Sequence, residues 1–262
     1  MVLSLSYYDK TTHIMKLKIP MIDESIFREY DIRGIVPSQV NETTIRSISN
    51  AIARKCSDQN INEIVLGRDG RLSGEKILNL LSEELQSNGI NVVNIGIVTS
   101  PLLYYAAKKL PSKSGIMITG SHNPKNYNGF KIVLNQNSFF GEDIQKLGHF
   151  SSKGYSKTYN GFSKSVEINN NYVDEIIKPL KNIERQLLDK TIVWDCGNGA
   201  TGPSIEAVTK KISGNHIILY SNVDGNFPNH HPDPTVPKNI CLLYTSDAAD
   251  EGLGVDLGGR RI

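Results

Sequence analysis

The chain has 262 residues, a formal net charge of +2 and a hydrophobic content of 39%. This content is enough for one large domain or two ordinary ones, so the composition excludes global disorder. The small net charge gives no reason to expect nucleic acid or an acidic membrane surface as a partner.

The cysteines indicate a reducing compartment. Cys56, Cys196 and Cys241 are odd in number and lack metal-ligand spacing, which is typical of free thiols. No stretch approaches the roughly 20 apolar residues of a membrane span, and the start shows no clear signal-peptide pattern. We therefore expect a cytoplasmic protein with no membrane partner; the oligomeric state stays open, with a monomer favoured.

The first half of the chain alternates helix and strand patterns. Residues 1–22 are expected to be a disordered leader. Isoleucines at helical spacing predict a helix over residues 43–55, a second helix follows Ser73 as N-cap, and Ser100 with Pro101 opens a third. Short apolar runs predict buried strands at 63–67, 91–95, 114–118 and 130–134. The alternation predicts an α/β fold with mixed, mostly parallel sheets sandwiched by helices.

The second half repeats the alternation after a break. Residues 141–150 read as a short helix, and residues 151–164 are polar, rich in Gly and Ser and without periodicity, which is typical of a linker. Later patterns predict helices at about 172–180 and from about 203, and strands at 191–194 and 216–220. We expect a first domain over 23–150, a linker over 151–164 and an incomplete second domain over 165–240.

A polar loop, Thr119-Gly120-Ser121-His122-Asn123-Pro124, lies between two of the predicted strands. Such a loop is where a rigid scaffold presents reactive groups. Ser121 stands between a small residue and an imidazole, and backbone N–H groups around Gly120 are suited to a nest for phosphate oxygens. The alternative is a polar turn in which Asn123-Pro124 and Asn128-Gly129 only set the turn geometry, and composition alone favours that alternative.

Five ordered motifs change this balance. The loop, continued by Asn128-Gly129-Phe130-Lys131, resembles the active-serine motif of the α-D-phosphohexomutases, and within that family the bacterial phosphomannomutase/phosphoglucomutase branch. The other four motifs are Phe27-Arg28-Glu29-Tyr30-Asp31-Ile32-Arg33-Gly34, Gly67-Arg68-Asp69-Gly70-Arg71, Asp195-Cys196-Gly197-Asn198-Gly199, and Val223-Asp224-Gly225-Asn226-Phe227-Pro228-Asn229-His230-His231-Pro232-Asp233-Pro234. Together they cover roughly residues 26–240 and imply the first domain and part of the second domain of that family.

The resemblance implies a reaction. A member of the family interconverts hexose 1-phosphate and 6-phosphate, here of mannose or glucose, through a phosphoserine at Ser121 and a hexose 1,6-bisphosphate that is intermediate and activator. It implies Mg²⁺ held by the phosphoserine oxygen of Ser121 and by the aspartates of an Asp-Gly-Asp-Gly-Asp-Arg loop, which this sequence lacks. We therefore expect a sugar-phosphate substrate, and a truncated, inactive fragment of a mutase.

The resemblance also assigns roles to single residues. Arg33 would stabilise the transferring charge, and His122 and Lys131 would steer protons and contact the phosphate. Tyr30 and Asn123, with Lys131, would contact the substrate. The alternatives are a surface arginine at Arg33 and a solvated lysine at a strand end at Lys131.

Two stretches require separate interpretation. His230, His231 and Asp233 are close in sequence, but adjacent side chains diverge and the prolines restrict them, so we expect a loop near the cleft and no metal site. Residues 241–262 resemble a translated sequencing adapter, and we expect a non-native tail.

Two rival functions remain open. Phosphoglucosamine mutases resemble Ser-Ala-Ser-His-Asn-Pro in the loop and Gly-Ile-Lys after it, whereas this chain has Thr119-Gly120-Ser121 and Gly129-Phe130-Lys131, which favours the mannose/glucose branch. The second rival, from another class, is a non-catalytic fragment that binds sugar phosphates. A generic α/β binding domain cannot be separated from these by fold alone.

Overall fold

The structure is a computed structural model that describes residues 22–151, 160–182 and 190–240. The predicted leader up to residue 21, residues 152–159 of the predicted linker and the predicted tail at 241–262 lie outside the described residues.

The described part of the chain contains the predicted helices and strands in the predicted order, together with three short strands that were not predicted, at residues 32–35, 137–139 and 163–165. The elements are β1 (Ile32–Ile35), α1 (Glu42–Asp58), β2 (Glu63–Arg68), α2 (Gly74–Ser87), β3 (Asn91–Ile97), α3 (Ser100–Lys109), β4 (Gly115–Ile118), β5 (Tyr127–Leu134), β6 (Asn137–Phe139), α4 (Glu142–Ser151), β7 (Ser163–Ser165), α5 (Asn169–Ile176), β8 (Thr191–Asp195), α6 (Gly202–Thr209) and β9 (Asn215–Leu219), with short 3₁₀ helices at Glu24–Ile26, Lys178–Asn182 and Pro237–Asn239.

The main sheet combines a parallel half with an antiparallel half. Its strand order is β1-β5-β4-β2-β3-β7, and β6 pairs with β5. The pairs β4–β2, β2–β3 and β3–β7 are parallel, whereas β1–β5, β5–β4 and β5–β6 are antiparallel. A separate parallel pair joins β8 and β9. Four of the seven strand pairings among the described residues are therefore parallel, which confirms the predicted α/β fold with mixed, mostly parallel sheets.

Helices cover both faces of the main sheet. Successive strand residues point to opposite faces, so Ile64 and Leu66 of β2 pack with α1, α2 and α4, whereas Val65 packs with α3. Helix α2 shows the matching helical period, because its buried apolar residues include four at helical spacing: Ile77, Leu78, Leu81 and Leu85.

Two predicted helix starts differ in their capping. Thr99, not Ser100, caps α3, because its hydroxyl accepts a hydrogen bond from the N–H of Leu102. Ser73 precedes α2 but its side chain does not cap the helix; its Oγ accepts a hydrogen bond from Nδ2 of the buried Asn128 at 2.9 Å. The Ser73 side chain therefore joins the start of α2 to β5.

Two boundaries in the second half also differ from the prediction. Helix α5 ends at Ile176, because Pro179 has no N–H with which to continue the α-helical pattern, and a 3₁₀ helix follows. Strand β7 pairs with β3 at the edge of the main sheet, so the described end of the predicted linker belongs to that sheet.

Within the described ranges, no helix is both long enough and apolar enough to cross a bilayer.

The α2 face gives a test of the core. Leu81 is fully buried between α2 and the sheet, so Leu81→Ala should lower the free energy of unfolding by about 2–5 kcal/mol through lost contacts and a cavity. Denaturant unfolding followed by circular dichroism measures the change. Leu72→Ala is the matched control, because Leu72 is 70% exposed and should change stability by less than about 0.5 kcal/mol. Equal losses in both variants would contradict this packing.

Candidate active site

The polar loop between β4 and β5 lies at the carboxyl end of the parallel strands. Strands β2 and β4 run side by side, with Arg68 opposite Ile118, so the segments that leave them meet at one edge of the sheet. The N–H of Asp69 donates to the carbonyl of Ile118 at 2.9 Å, and Val98, which follows β3, donates to Arg68 at 2.8 Å. Open α/β sheets bind ligands at this edge, and the predicted serine loop is placed there.

Ser121 adopts a left-handed backbone conformation, with φ of +53°. This conformation is uncommon for a residue with a side chain, and such strain concentrates at functional sites. Ser121 is half-buried, whereas the following His122 is exposed.

Asp69 fixes the start of the loop. Its Oδ2 accepts a hydrogen bond from Oγ1 of Thr119 at 2.7 Å and from the N–H of Gly120 at 3.3 Å. The Thr119 hydroxyl in turn accepts from the N–H of Ser121 at 2.9 Å. The phosphate nest predicted around Gly120 is therefore wrong at these two amides, because side chains of the protein already satisfy both.

Arg71 fixes the rest of the loop from below. Its side chain is fully buried, and its Nε donates to Oδ2 of Asp69 at 3.1 Å. The two terminal nitrogens donate to four loop carbonyls: those of Ser121 (2.8 Å), Asn123 (2.7 Å), Pro124 (2.6 Å) and Tyr127 (3.1 Å). All five N–H groups of the guanidinium thus have acceptors. The turn at residues 68–71 is therefore ion-paired, and its arginine holds the serine loop as well.

Arg33 and Lys131 meet at one buried carboxylate. Oδ2 of Asp31 accepts a hydrogen bond from Nη2 of Arg33 and another from Nζ of Lys131, the latter at 2.8 Å. The Asp31 side chain is only 5% exposed. Burial by itself would raise the pKa of Asp31, but the hydrogen bonds and charges of the two cations outweigh burial and lower that pKa below its ordinary value.

The strand register explains why these cations are neighbours. Arg33 on β1 lies opposite Gly129 on β5, and Lys131 lies opposite Met117 on β4. Opposite residues and residues two apart share one face of a sheet, so Arg33 and Lys131 share the face that carries Met117. Gly129 leaves room between them, and a Cβ at that position would collide with the backbone of Ile32.

Arg33 also lies near the serine loop. Burial lowers the pKa of the Arg71 guanidinium, Asp69 opposes that effect, and the positive charge of Arg33 lowers the Arg71 pKa further. Arg33 is therefore close enough to Arg71 to affect its pKa, and Arg71 in turn donates to the carbonyl of Ser121.

The other predicted site residues differ in their exposure. Tyr30 is 71% exposed, just before the Asp31 cluster. The side-chain amide of Asn123 donates to the carbonyl of Gly120 at 2.9 Å, so one of its hydrogen bonds is made within the loop.

A cleft of about 790 Å³ opens beside the loop. Ser121 and His122 line it on one side, together with the β3–α3 connection at Thr99. The other side is formed by two segments of the second half of the chain: residues 195–201 after β8, and residues 227–235. The predicted position of the His-His segment near the cleft is confirmed.

His230 is held on the far wall with acceptors at both ring nitrogens. Its Nε2 lies 2.9 Å from Oδ2 of Asp195, and its Nδ1 lies 3.0 Å from the carbonyl oxygen of His231. Only the protonated ring can donate in both directions. Burial alone would lower the pKa of His230, but the His231 carbonyl and the Asp195 carboxylate together raise it above its ordinary value.

Cys196 lies on the same wall but lacks the character of a nucleophile. Burial, reinforced by the charges of Asp195 and Glu206, raises the pKa of the Cys196 thiol to about 11. The thiol stays protonated at neutral pH, and the thiolate is the reactive form. Ser121 is therefore the better candidate nucleophile in this cleft.

The described residues do not by themselves form a metal site. Among them, no group of three or more His, Cys, Asp or Glu side chains is arranged to hold an ion. The Mg²⁺ expected from the resemblance would need carboxylate ligands from outside the described residues.

Sequence reasoning missed the residues that position the site. Asp31 and Arg71 belong to two of the sequence motifs but have no predicted role of their own, and His230 is predicted only to be no metal ligand. One signal was available for Arg71, because an Asp and an Arg that directly follow a buried strand reach the edge where the next parallel strand ends. The other two partnerships depend on contacts across the sheet and the cleft.

The Asp31 cluster gives a stability test. Asp31→Asn should lower the free energy of unfolding by roughly 1–3 kcal/mol, because the charge shared by Arg33 and Lys131 is removed. Because the pKa of Asp31 is lowered in the folded state, its contribution is present above the ordinary aspartate pKa and is lost as the pH falls through the folded-state value. Denaturant unfolding at neutral and acid pH measures both effects.

The control for that variant is Asp174→Asn. Asp174 pairs with Lys211 on the surface, with its side chain 61% exposed, and should contribute at most about 1 kcal/mol. A loss at Asp31 no larger than the loss at Asp174 would refute the proposed cluster.

His230 gives a test with the opposite pH dependence. Its raised folded-state pKa stabilises the protein below the ordinary histidine pKa, and this contribution is lost as the pH rises through the folded-state value. The stability advantage of the parent chain over His230→Gln should therefore be larger at about pH 5.5 than at about pH 8.5. Chemical denaturation at both values measures it.

His216→Gln is the control, because Nδ1 of His216 accepts a hydrogen bond from Trp194 and the ring does not contact Asp195. Its stability difference from the parent should not follow the His230 profile. If the difference in unfolding free energy between the parent chain and His230→Gln does not change with pH, His230 does not donate hydrogen bonds from both ring nitrogens.

Comparison with known proteins agrees with this geometry. Residues 24–149 match the family model described as phosphoglucomutase/phosphomannomutase, alpha/beta/alpha domain I, and residues 170–259 match the corresponding domain II. The second match continues past residue 240, across most of the stretch that we expected to be non-native, and does not favour that expectation.

Similar proteins carry the same description. The chain is 40% identical over 247 residues to a phosphomannomutase/phosphoglucomutase of Pseudomonas syringae pv. tomato, covering 93% of this chain and 52% of that protein. It is 41% identical over 247 residues to a phosphoglucomutase of Neisseria gonorrhoeae, covering 92% and 53% respectively. A solved family protein from Burkholderia thailandensis superposes with a TM-score of 0.79 at 34% identity, covering 88% of this chain and 51% of that one.

The chain spans about half the length of these relatives. Two domain models of one family match most of its residues, and the solved relative shares its fold. The chain therefore belongs to the phosphoglucomutase/phosphomannomutase family.

Proposed function

We propose that this chain carries the phosphoryl donor site of a hexose-phosphate mutase that interconverts the 1-phosphate and 6-phosphate of glucose or mannose. The observation that carries the proposal is the Ser121 loop: a serine on a left-handed turn that lines a cleft, with its carbonyl held by the buried Arg71. The names of the similar proteins, phosphomannomutase/phosphoglucomutase and phosphoglucomutase, support the substrate class.

Ser121 would act as a phosphoryl carrier. The phosphorylated serine gives its group to a free hydroxyl of the sugar phosphate; the serine O–P bond breaks, a sugar O–P bond forms, and a hexose 1,6-bisphosphate results. The sugar hydroxyl loses its proton to a base and the released Oγ of Ser121 gains one, so no net proton is consumed; the exposed ring of His122 is the candidate next to Ser121 for this transfer. After the sugar reorients, the serine recovers the other phosphoryl group. A serine phosphoester suits this role because it is stable yet open to attack by an aligned hydroxyl.

Arg33 and Lys131 would stabilise the negative charge on the transferring group. They are fixed by Asp31 before substrate arrives, and preorganised charges cost no rearrangement during the reaction. Asp31 shares its one negative charge between them, so the cluster keeps a net positive charge. Tyr30, exposed beside this cluster, and Asn123, on the loop, are the proposed substrate contacts.

Mg²⁺ is the proposed cofactor, and it would offset phosphate charge at the phosphoserine oxygen of Ser121. Because the chain spans about half the length of its relatives, we propose that by itself it turns over hexose phosphates far more slowly than they do. A cytoplasmic monomer is the proposed state.

The rival functions make different predictions. A phosphoglucosamine mutase would prefer an amino sugar phosphate, whereas Gly129-Phe130-Lys131 favours the glucose/mannose branch. A non-catalytic fragment would bind sugar phosphates and never form a phosphoserine.

Phosphorylation of Ser121 is the deciding experiment. Incubation of the chain with glucose 1,6-bisphosphate should add one phosphoryl group, which peptide mass spectrometry should locate at Ser121. Ser121→Ala should abolish the modification. Ser138→Ala, at an exposed serine on β6, should leave it unchanged. Binding of the bisphosphate without modification would favour the non-catalytic alternative, and modification of another residue would refute the assignment of Ser121.

A further inference from the structure

We propose that Arg71 is the positioning residue of the Ser121 loop, and that the second half of the chain holds Arg71 in place through Phe227. This inference deepens the proposed function, since it says what presents the phosphoryl carrier to the cleft.

The loop is built around the guanidinium. Carbonyl groups of Ser121, Asn123, Pro124 and Tyr127 converge on two nitrogens of one fully buried side chain. Hydrogen bonds to a charged donor are stronger than neutral ones. Four such bonds over seven consecutive residues therefore define the path of the loop between its two flanking strands.

Close packing leaves the loop no alternative path. A Cβ added at Gly120 would lie 2.5 Å from Cζ of Arg71, nearer than real Cβ contacts come. The backbone therefore lies directly on the guanidinium, and the left-handed turn at Ser121 follows immediately. Lysine cannot replace this arrangement, because its ammonium lacks the planar fork that donates to several carbonyls at once.

The second half of the chain packs against the same turn. The ring of Phe227 lies 5.5 Å from Cζ of Arg71, within the range of a cation–π interaction. A Cβ at Gly225 would lie 2.5 Å from the carbonyl oxygen of Gly70, and a Cβ at Gly70 would collide with Val223. Residues 223–227 thus fit closely over residues 70–71 from the side of the second half.

These contacts form one physical path from the second half to the serine. Phe227 contacts Arg71, and Arg71 binds the carbonyl of Ser121. The loop conformation should therefore depend on a residue more than 100 positions away in sequence, on the other wall of the cleft.

Hydrogen exchange of the full chain tests the path without substrate. Arg71→Lys should speed amide exchange in peptides spanning residues 119–128 by at least about tenfold, because a lysine cannot replace the hydrogen bonds of the guanidinium. Phe227→Leu should give a smaller increase in the same peptides, and Phe227→Tyr, which keeps the aromatic face, should restore the parent rate. Peptides from α1 and α2 should not change.

Phe162→Leu is the matched control. Phe162 also packs a ring near a cation, with Nζ of Lys164 at 6.0 Å, but lies at the edge of the main sheet beside β7. It should leave exchange in the loop unchanged. Loop exchange at the parent rate in a folded Phe227→Leu variant would overturn the coupling to the second half, and the same result in Arg71→Lys would overturn the role of Arg71.

A second measurement connects the inference to phosphoryl transfer. Arg71→Lys should lower the maximal rate of Ser121 phosphorylation by glucose 1,6-bisphosphate more than it changes the half-saturating concentration, because the loop is misplaced and the binding groups remain. If Arg71→Lys fails to fold, hydrogen exchange in Phe227→Leu and Phe227→Tyr still tests whether the second half of the chain affects the Ser121 loop. If the parent chain is never phosphorylated, the proposed function fails, whereas the exchange result stands independently.

Discussion

The candidate site depends on one buried ion pair, Asp69 with Arg71. A buried guanidinium is costly unless every donor is satisfied, and here the acceptors are one carboxylate and four carbonyls of the serine loop. Asp69 contributes again through Thr119 and the N–H of Gly120. The requirement to satisfy a buried charge therefore fixes the backbone that presents Ser121.

The buried charge of Asp31 is also satisfied by neighbouring groups, but here the partners are two cationic side chains. Asp31 is buried and accepts from two cations, so its carboxylate places Arg33 and Lys131 together on one face of the sheet. The antiparallel strands β1 and β5 supply the register. All donors of Arg71 are bound by protein acceptors, whereas one carboxylate between two cations leaves the Asp31 cluster with a net positive charge. The Asp69–Arg71 pair shapes the loop, and the Asp31 cluster holds two cations side by side on the sheet.

The second half of the chain forms one wall of the cleft, and this wall contains a hydrogen-bonded pair of its own, His230 with Asp195. His230 lies between Asp195 and the His231 carbonyl, which together raise its pKa, so the ring joins Asp195 of β8 to the segment that follows β9. Phe227, from the same region, packs on Arg71. Residues from both halves of the chain therefore line the cleft, and Phe227 of the second half contacts Arg71 of the first. The conformation of the serine loop is therefore supported by residues from both halves of the chain.

The sequence by itself determined most of the local structure. Periodicity gave the helices and strands in order, because apolar side chains repeat at the period of the element that buries them. Its errors were at helix ends, where Thr99 rather than Ser100 caps α3 and Pro179 stops α5 early, since caps depend on single hydrogen bonds. It also missed β1, β6 and β7, which are only three or four residues long, and β7 lies in the predicted linker. The motifs pointed to the serine loop and to the family.

Only the tertiary structure decided which groups face one another. Arg71 and Ser121 are 50 positions apart, and Lys131 and Asp31 are 100 apart. Their contacts arise from strand order and register, which no local pattern encodes. The amides of Gly120 and Ser121 show the same limit: the sequence predicted that they were free for phosphate, but neighbouring side chains already bind them. The sequence shows which amides and charged side chains the chain contains. The strand order and the burial of charge decide which of them the protein itself binds and which stay free to bind a ligand.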